Sequence, residues 1–306
     1  MKEVVLKTHN LTKKYKKFTA LDHVNITIHR GDIYGLIGRN GAGKTTLMKV
    51  ITTLAPKTEG VFELFGSGED ITETKRRIGC LIENPAFFGK LTAYQNLEYY
   101  AIQKGIVDKE QIDKALELVD LTKQKNKKFK NFSLGMKQRL GIALAILDHP
   151  DFIILDEPIN GLDPIGIKEL RDTFKKLNEE HNITILISSH ILSELYLLAN
   201  RFCFIEQGRV LKEITKEELD LACSKCIVIK VLDTKKAAVV LEKELYTTNY
   251  KVIDEQEIRL YDYLNQVAKV NKVLSKNDVD VMAIYESGIS LEEYFDTLIK
   301  GGEEYD

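Results

Sequence analysis

Residues 38–45 run Gly38-Arg39-Asn40-Gly41-Ala42-Gly43-Lys44-Thr45. An apolar run, Asp32 to Ile37, precedes them, and a helical pattern follows from Gly43 to about Leu54, until Pro56 and Gly60 break it. A strand, a glycine-rich turn and a helix in that order let backbone N–H groups turn inward around phosphate oxygens. The start of the helix adds its positive end. In a GxxxxGK[ST] pattern placed this way, Lys44 reaches the β- and γ-phosphates and the Thr45 hydroxyl ligates Mg2+. A chain built on this loop is committed to an α/β fold.

A second segment completes the chemistry. Phe152-Ile153-Ile154-Leu155-Asp156-Glu157-Pro158 is an apolar strand that ends in two carboxylates. Successive side chains on a strand point opposite ways, so Asp156 and Glu157 serve different ends. Asp156 is the expected Mg2+ partner. Glu157 is the candidate general base. Phe152–Leu155 and Ile183–Ile187 are short and, Thr184 aside, apolar, as buried parallel strands are.

The pattern predicts further strands at Val4–Thr8, Val24–Ile28, Val61–Leu64 and Ile78–Ile82. Apolar residues at helical spacing fill residues 91–147, where Ser133 opens a long helix through Leu147. Helices are also predicted at Ile167–Glu180 and Ile191–Asn200. From Ala222 the pattern changes to strand Cys226–Leu232, helix Lys235–Tyr246, strands Tyr250–Ile253 and Ile258–Tyr261, helix Tyr263–Leu274 and strand Val279–Ile284. That β-α-β-β-α-β order is the ferredoxin-like one. A Ser290–Glu293 capping box opens a last helix. All five prolines lie in the first 164 residues, and 16 of the 19 glycines precede residue 222. The expected division is therefore 1–221, with a helical part at about 84–150, and 222–306.

Composition removes some function classes. Of 306 residues, 44 are basic and 46 acidic, which excludes wholesale electrostatic binding to nucleic acid. No stretch approaches the roughly 20 apolar residues of a membrane span, and no apolar run near Met1 suggests a secretory signal. Four cysteines with a single CxxC, Cys223–Cys226, read as reduced cytosolic thiols. Lys123, Lys125, Lys127, Lys128 and Lys130 form a basic run that reads as a solvated linker.

With both nucleotide segments placed, the chain over residues 3–221 resembles the nucleotide-binding subunits of ABC transporters. Phe132-Ser133-Leu134-Gly135-Met136 stands where that family's signature, LSGGQ, is found, with Ser133 and Gly135 kept and the first, third and fifth positions changed. Asn160-Gly161-Leu162-Asp163 matches the D-loop. His190 matches the switch histidine at the γ-phosphate, and Tyr15 the aromatic that stacks on adenine. Glu83 stands where the family normally has glutamine. A glutamate there resembles the bacitracin-export and lantibiotic-immunity branch, and adds negative charge near the γ-phosphate.

The resemblance implies a P-loop NTPase core with an antiparallel β subdomain and a helical subdomain, plus a small C-terminal α+β domain. It implies ATP and Mg2+ as cofactors. The nucleotide would be bound by Tyr15, Gly38, Asn40, Gly41, Ala42, Gly43, Lys44, Thr45, Thr46, Ser133, Gly135 and Asp163. Catalysis would fall to Glu157, His190 and Glu83, and metal ligation to Thr45, Asp156 and Glu83. The signature would contact ATP held by a second copy, giving a head-to-tail sandwich dimer. The expected partner is a membrane permease, engaged from the cytoplasmic face of the cell membrane, with Phe87 or Phe88 in the groove that receives it. Export of an antimicrobial peptide follows from the Glu83 branch. The alternative is a soluble superfamily member acting on nucleic acid or the ribosome. Against it, Lys44 and Ser133 are only 89 residues apart, without the long coiled coil of DNA-repair relatives, and the chain has room for one nucleotide domain.

Overall fold

The computed structural model describes residues 2–68, 74–83 and 86–303. Asn84 and Pro85, which follow Glu83 in its motif, lie outside the described residues. The chain divides into two compact units, the first ending at Lys216 and the second spanning Glu217–Gly301.

The first unit opens with β1 (Val4–Tyr15), β2 (Phe18–Val24), β3 (Thr27–His29), β4 (Ile33–Ile37), α1 (Lys44–Ile51) and β5 (Glu59–Leu64). β2 and β3 pair antiparallel with the two ends of β1, and β5 pairs antiparallel with its other edge. The strand predicted at Val24–Ile28 is in fact two: Val24 ends β2 and Thr27 opens β3. Thr8 of β1 bridges the break. Its N–H donates to the Ile26 carbonyl at 3.0 Å, and its hydroxyl accepts the Ile26 N–H at 2.9 Å. Register shifts between Leu11 and Lys14 hide how far β1 runs past Thr8.

The chain continues through β6 (Ile78–Leu81), α2 (Ala93–Lys104), α3 (Glu110–Leu118), α4 (Leu134–Ile146), β7 (Phe152–Leu155), α5 (Pro164–Glu179), β8 (Thr184–Ser189), α6 (Leu192–Tyr196), β9 (Arg201–Glu206) and β10 (Arg209–Thr215). Among the described residues the central sheet has the order β10-β9-β4-β8-β7-β6. All its neighbours are parallel except β10 with β9. Every residue of β4, β7 and β8 is buried, so neither face of these strands meets water. The β9–β10 hairpin is not among the predicted elements. Its turn is Gln207-Gly208, both at positive φ, the geometry a two-residue hairpin loop needs. The helix predicted at Ile191–Asn200 shortens to α6.

α7 (Lys216–Cys223) is followed by β11 (Cys226–Val231), α8 (Thr234–Glu244), β12 (Tyr250–Val252), β13 (Glu257–Leu260), α9 (Val267–Lys276), β14 (Val281–Ser287) and α10 (Leu291–Glu303). The second sheet has the order β12-β13-β11-β14 with every neighbour antiparallel, which is the split β-α-β arrangement. Ile227, Ile229 and Val231 share a core with Ala237, Leu241, Val270 and Leu274 of α8 and α9. α9 starts at Val267 rather than at Tyr263, because Tyr263 and Asn265 sit at φ 59 and 64 and cannot continue a helix. The Ser290 hydroxyl accepts the Glu293 N–H at 3.1 Å and the Glu293 carboxylate accepts the Ser290 N–H at 2.7 Å, closing the capping box before α10.

Candidate functional site

β4, β8, β7 and β6 are adjacent, parallel and nearly flush: Ile37 lies opposite Ser189, Ile187 opposite Leu155, and Leu155 opposite Leu81. The segments that leave their carboxyl ends therefore start side by side, where open parallel sheets bind ligands. Those segments carry Gly38–Thr45, Asp156 with Glu157, His190 and Glu83.

The phosphate loop follows β4. Gly38 has an ordinary φ, yet a Cβ on it would lie 2.3 Å from the Ile205 carbonyl oxygen, so β9 leaves room only for glycine. Gly43 is glycine for two reasons: its φ is 109, and a Cβ would meet the Ala20 carbonyl at 2.7 Å. It is the N-cap of α1 and gives that helix no side-chain cap. The first-turn N–H groups are thus left for an anion. Asn40 and Gly41 are exposed, Ala42 is buried, and Thr45 and Thr46 lie half-buried in the first turn of α1. Lys44 is buried, and its ammonium donates to the carbonyls of Gly38 at 2.7 Å and Arg39 at 3.2 Å.

A single hydrogen-bonded chain joins the other groups. The Thr45 hydroxyl donates to Asp156 Oδ2 at 2.6 Å. Ser188, near the end of β8, donates to Asp156 Oδ1 at 2.6 Å and accepts the Glu157 N–H at 2.9 Å. Glu157 Oε1 lies 3.2 Å from the Lys44 ammonium, and Oε2 lies 2.8 Å from His190 Nδ1. Glu157 itself has φ 48 and precedes a proline. A left-handed residue that is not glycine costs on the order of 1–3 kcal/mol and persists only where its neighbours hold it. Ser188, Lys44 and His190 supply that hold.

Glu83 follows β6 and pairs with Lys49 of α1 rather than with Thr45 or Asp156. Tyr15, at the end of β1, is 46% exposed. The Lys13 ammonium lies 4.6 Å from the ring centre and donates to the Pro56 carbonyl at 2.6 Å.

The signature residues are elsewhere. Ser133 caps α4 through the Met136 N–H at 3.3 Å, and Asp163 caps α5 through the Gly166 N–H at 2.9 Å. Ser133, Gly135 and Asp163 line a cleft of about 810 Å³ with Arg139 and Glu169, and no phosphate-loop residue borders it. The cleft that the signature lines is therefore not the phosphate-loop pocket.

Sequence reasoning missed three residues. Ser188 was legible in principle: a serine in a wholly buried strand must bond something. Lys49 looks like any basic helix residue. Arg139 is buried in α4 and ties Val119 and Asp120 to Glu169 of α5. The basic run and the aromatics after Glu83 also meet. Backbone bonds from Phe129 to Leu91, Lys130 to Gly89 and Ala93 to Lys127 lay the two segments side by side. Phe87 packs between Tyr100 and Phe129, while Phe88 and Tyr99, both about half exposed, stand 4.9 Å apart at the surface.

Comparison with known proteins identifies the family. The ABC transporter family profile matches residues 21–160. The chain is 44% identical over 302 residues to the bacitracin transport ATP-binding protein BcrA of Enterococcus faecalis, covering 98% of each. It is 46% identical over 209 residues to the lantibiotic transport ATP-binding protein SrtF of Streptococcus pyogenes, covering 68% of this chain and 90% of that protein. A solved dimeric post-hydrolysis state of an ATP-binding cassette with ADP and Pi superposes with a TM-score of 0.62 at 28% identity, over 69% of this chain and 98% of that one.

Proposed function

We propose a function from one premise: this chain belongs to the family of ABC transporter ATP-binding subunits, and it binds and hydrolyses ATP. In our reading, adenine stacks on Tyr15 and the triphosphate lies over the N–H groups of Gly41 to Thr46. Lys44 exchanges its Gly38 and Arg39 carbonyls for the outer phosphate oxygens. Thr45 and Asp156 offer two hard oxygen donors side by side, and together they would hold Mg2+. When bound, that ion would neutralise charge on the transferred phosphoryl group. Glu157 takes a proton from the attacking water. His190 fixes the second Glu157 oxygen and stays close to the γ-phosphate. Asp156 and Glu157 keep separate tasks because Ser188 holds one by its carboxylate and the other by its backbone.

Because no phosphate-loop residue borders the cleft lined by Ser133, Gly135 and Asp163, a complete site takes these three from a second copy. Among the described residues no helix is long and apolar enough to cross a membrane, so transport requires a separate permease. Phe88 and Tyr99 are the exposed aromatics that would meet its cytoplasmic segment. The subunit then works on the inner face of the cell membrane. The proposed cargo is a peptide antibiotic of the bacitracin or lantibiotic kind, exported to protect the producing or resistant cell. The nucleic-acid alternative gains no support, since relatives matched along the whole chain carry transport names.

The observation that carries this reading is the unbroken chain Thr45–Asp156–Ser188–Glu157–His190. It is tested with Glu157→Gln. Phosphate release should fall by about 10²–10⁴-fold. The variant should also shift from monomer to dimer in light scattering when saturated with Mg-ATP. A variant that stays monomeric would end the sandwich reading, and one that hydrolyses normally would remove Glu157 as base.

A further inference from the structure

Glu83 poses an electrostatic problem. It places a third carboxylate, after Asp156 and Glu157, beside a site for a polyanion. Its backbone has φ 63, a region that residues with a side chain rarely adopt. Its Oε1 lies 2.5 Å from the ammonium of Lys49. The side chains are 67% and 32% exposed, and a pair that exposed contributes little to stability.

The value of the contact therefore lies in the charge it cancels. Lys49 sits in α1, five residues beyond the phosphate-loop lysine. Its pKa is raised, chiefly by the bond to Glu83, and Tyr15 and Asp156 are near enough to raise it further. The geometric partner of this ammonium is Glu83. Glu157 already has its own cation in Lys44.

We propose that Lys49 is the counter-charge of Glu83: a positioning residue that cancels this carboxylate at the nucleotide site, so that glutamate stands where a neutral glutamine would serve. The proposal rests on the phosphate-site reading above. It predicts that removing Lys49 weakens ATP binding most while residue 83 is charged.

The test is a double-mutant cycle on the full chain. It is read by equilibrium binding of a fluorescent ATP analogue without Mg2+, and then by KM and kcat for Mg-ATP. Lys49→Gln leaves Glu83 uncompensated and should weaken binding by about 5–20-fold, an effect that shrinks as salt is added. KM should rise in parallel, with kcat changed by less than about 2-fold. Lys49→Arg should bind as the native chain does. Glu83→Gln alone frees the ammonium for the phosphates and should tighten binding by about 2–5-fold. The combined Lys49→Gln/Glu83→Gln protein should return to within about 2-fold of native, because both charges are gone.

A combined variant as weak as Lys49→Gln, or a Lys49→Gln protein that binds normally, overturns the proposal. Melting curves check folding. If Lys49→Gln does not fold, Glu83→Gln carries the test, and unchanged binding there overturns the proposal. Failure of the native chain to bind the analogue would instead strike the phosphate-site reading itself.

Discussion

In the first unit, four adjacent strands run parallel and release their carboxyl ends along one edge. In the second unit every neighbouring pair is antiparallel, so strands adjacent in the sheet release their carboxyl ends at opposite edges. The polar contacts follow this geometry. Thr45 and Asp156 meet across 111 positions of sequence. In the second unit, Asp262 binds Thr247 and Asn249, only 15 and 13 positions away, and ties one loop to its neighbour. A parallel sheet collects distant segments at one place, and that is what multi-residue chemistry needs. An antiparallel sheet of the same size makes a core just as dry, but gathers no such cluster.

The comparison breaks most sharply at Ile229, which is fully buried in the second core. Ile229→Ala should cost about 2–5 kcal/mol in denaturant unfolding of that unit. ATP hydrolysis per molecule at 25 °C should stay within about 2-fold of native. A collapse of hydrolysis would mean that the two units do not stand alone. Ser188→Ala sharpens the other side. It leaves an Asp156 oxygen and the Glu157 N–H without their partner, and should lower hydrolysis by about 10–100-fold while stability falls only modestly. A variant with native turnover would show that the strand edge alone positions the two acids.

The smallest effect concerns pH. Asp151 is pushed up by burial, but the guanidinium groups of Arg77 and Arg30 outweigh this and hold it below the usual carboxylate range. A depressed folded pKa gives stability that is present above the unfolded value and lost as pH falls through the folded one. Asp151→Asn should therefore flatten the loss of melting temperature below about pH 5, by a degree or two. An identical pH profile would show that this exposed cluster contributes nothing.

How much of this could be read from the sequence depended on what each residue needed to announce itself. Apolar runs ahead of the phosphate loop, the paired acids and His190 marked β4, β7 and β8, because a strand buried on both faces shows little alternation. Bulged strands were harder: β1 and the Val24–Ile28 segment shift register, and a period-two pattern cannot show a residue that drops out of step. The βαββαβ order of the second unit was legible because each element there is short and amphipathic. In the site, Lys44, Asp156 and Glu157 stood out by spacing. Ser188 and Lys49 did not, since their significance lies in which strand or helix end they meet across the fold.

Lys44 has one consequence that reaches beyond its contacts. Its ammonium is already out of water, held by two carbonyls of its own loop. The dehydration of that charge and the ordering of the loop around it are completed when the chain folds, not when ATP arrives. Nucleotide capture then becomes an exchange of partners, with little entropy left to lose. Such a loop can let ADP go as readily as it takes ATP, as a motor that must cycle requires.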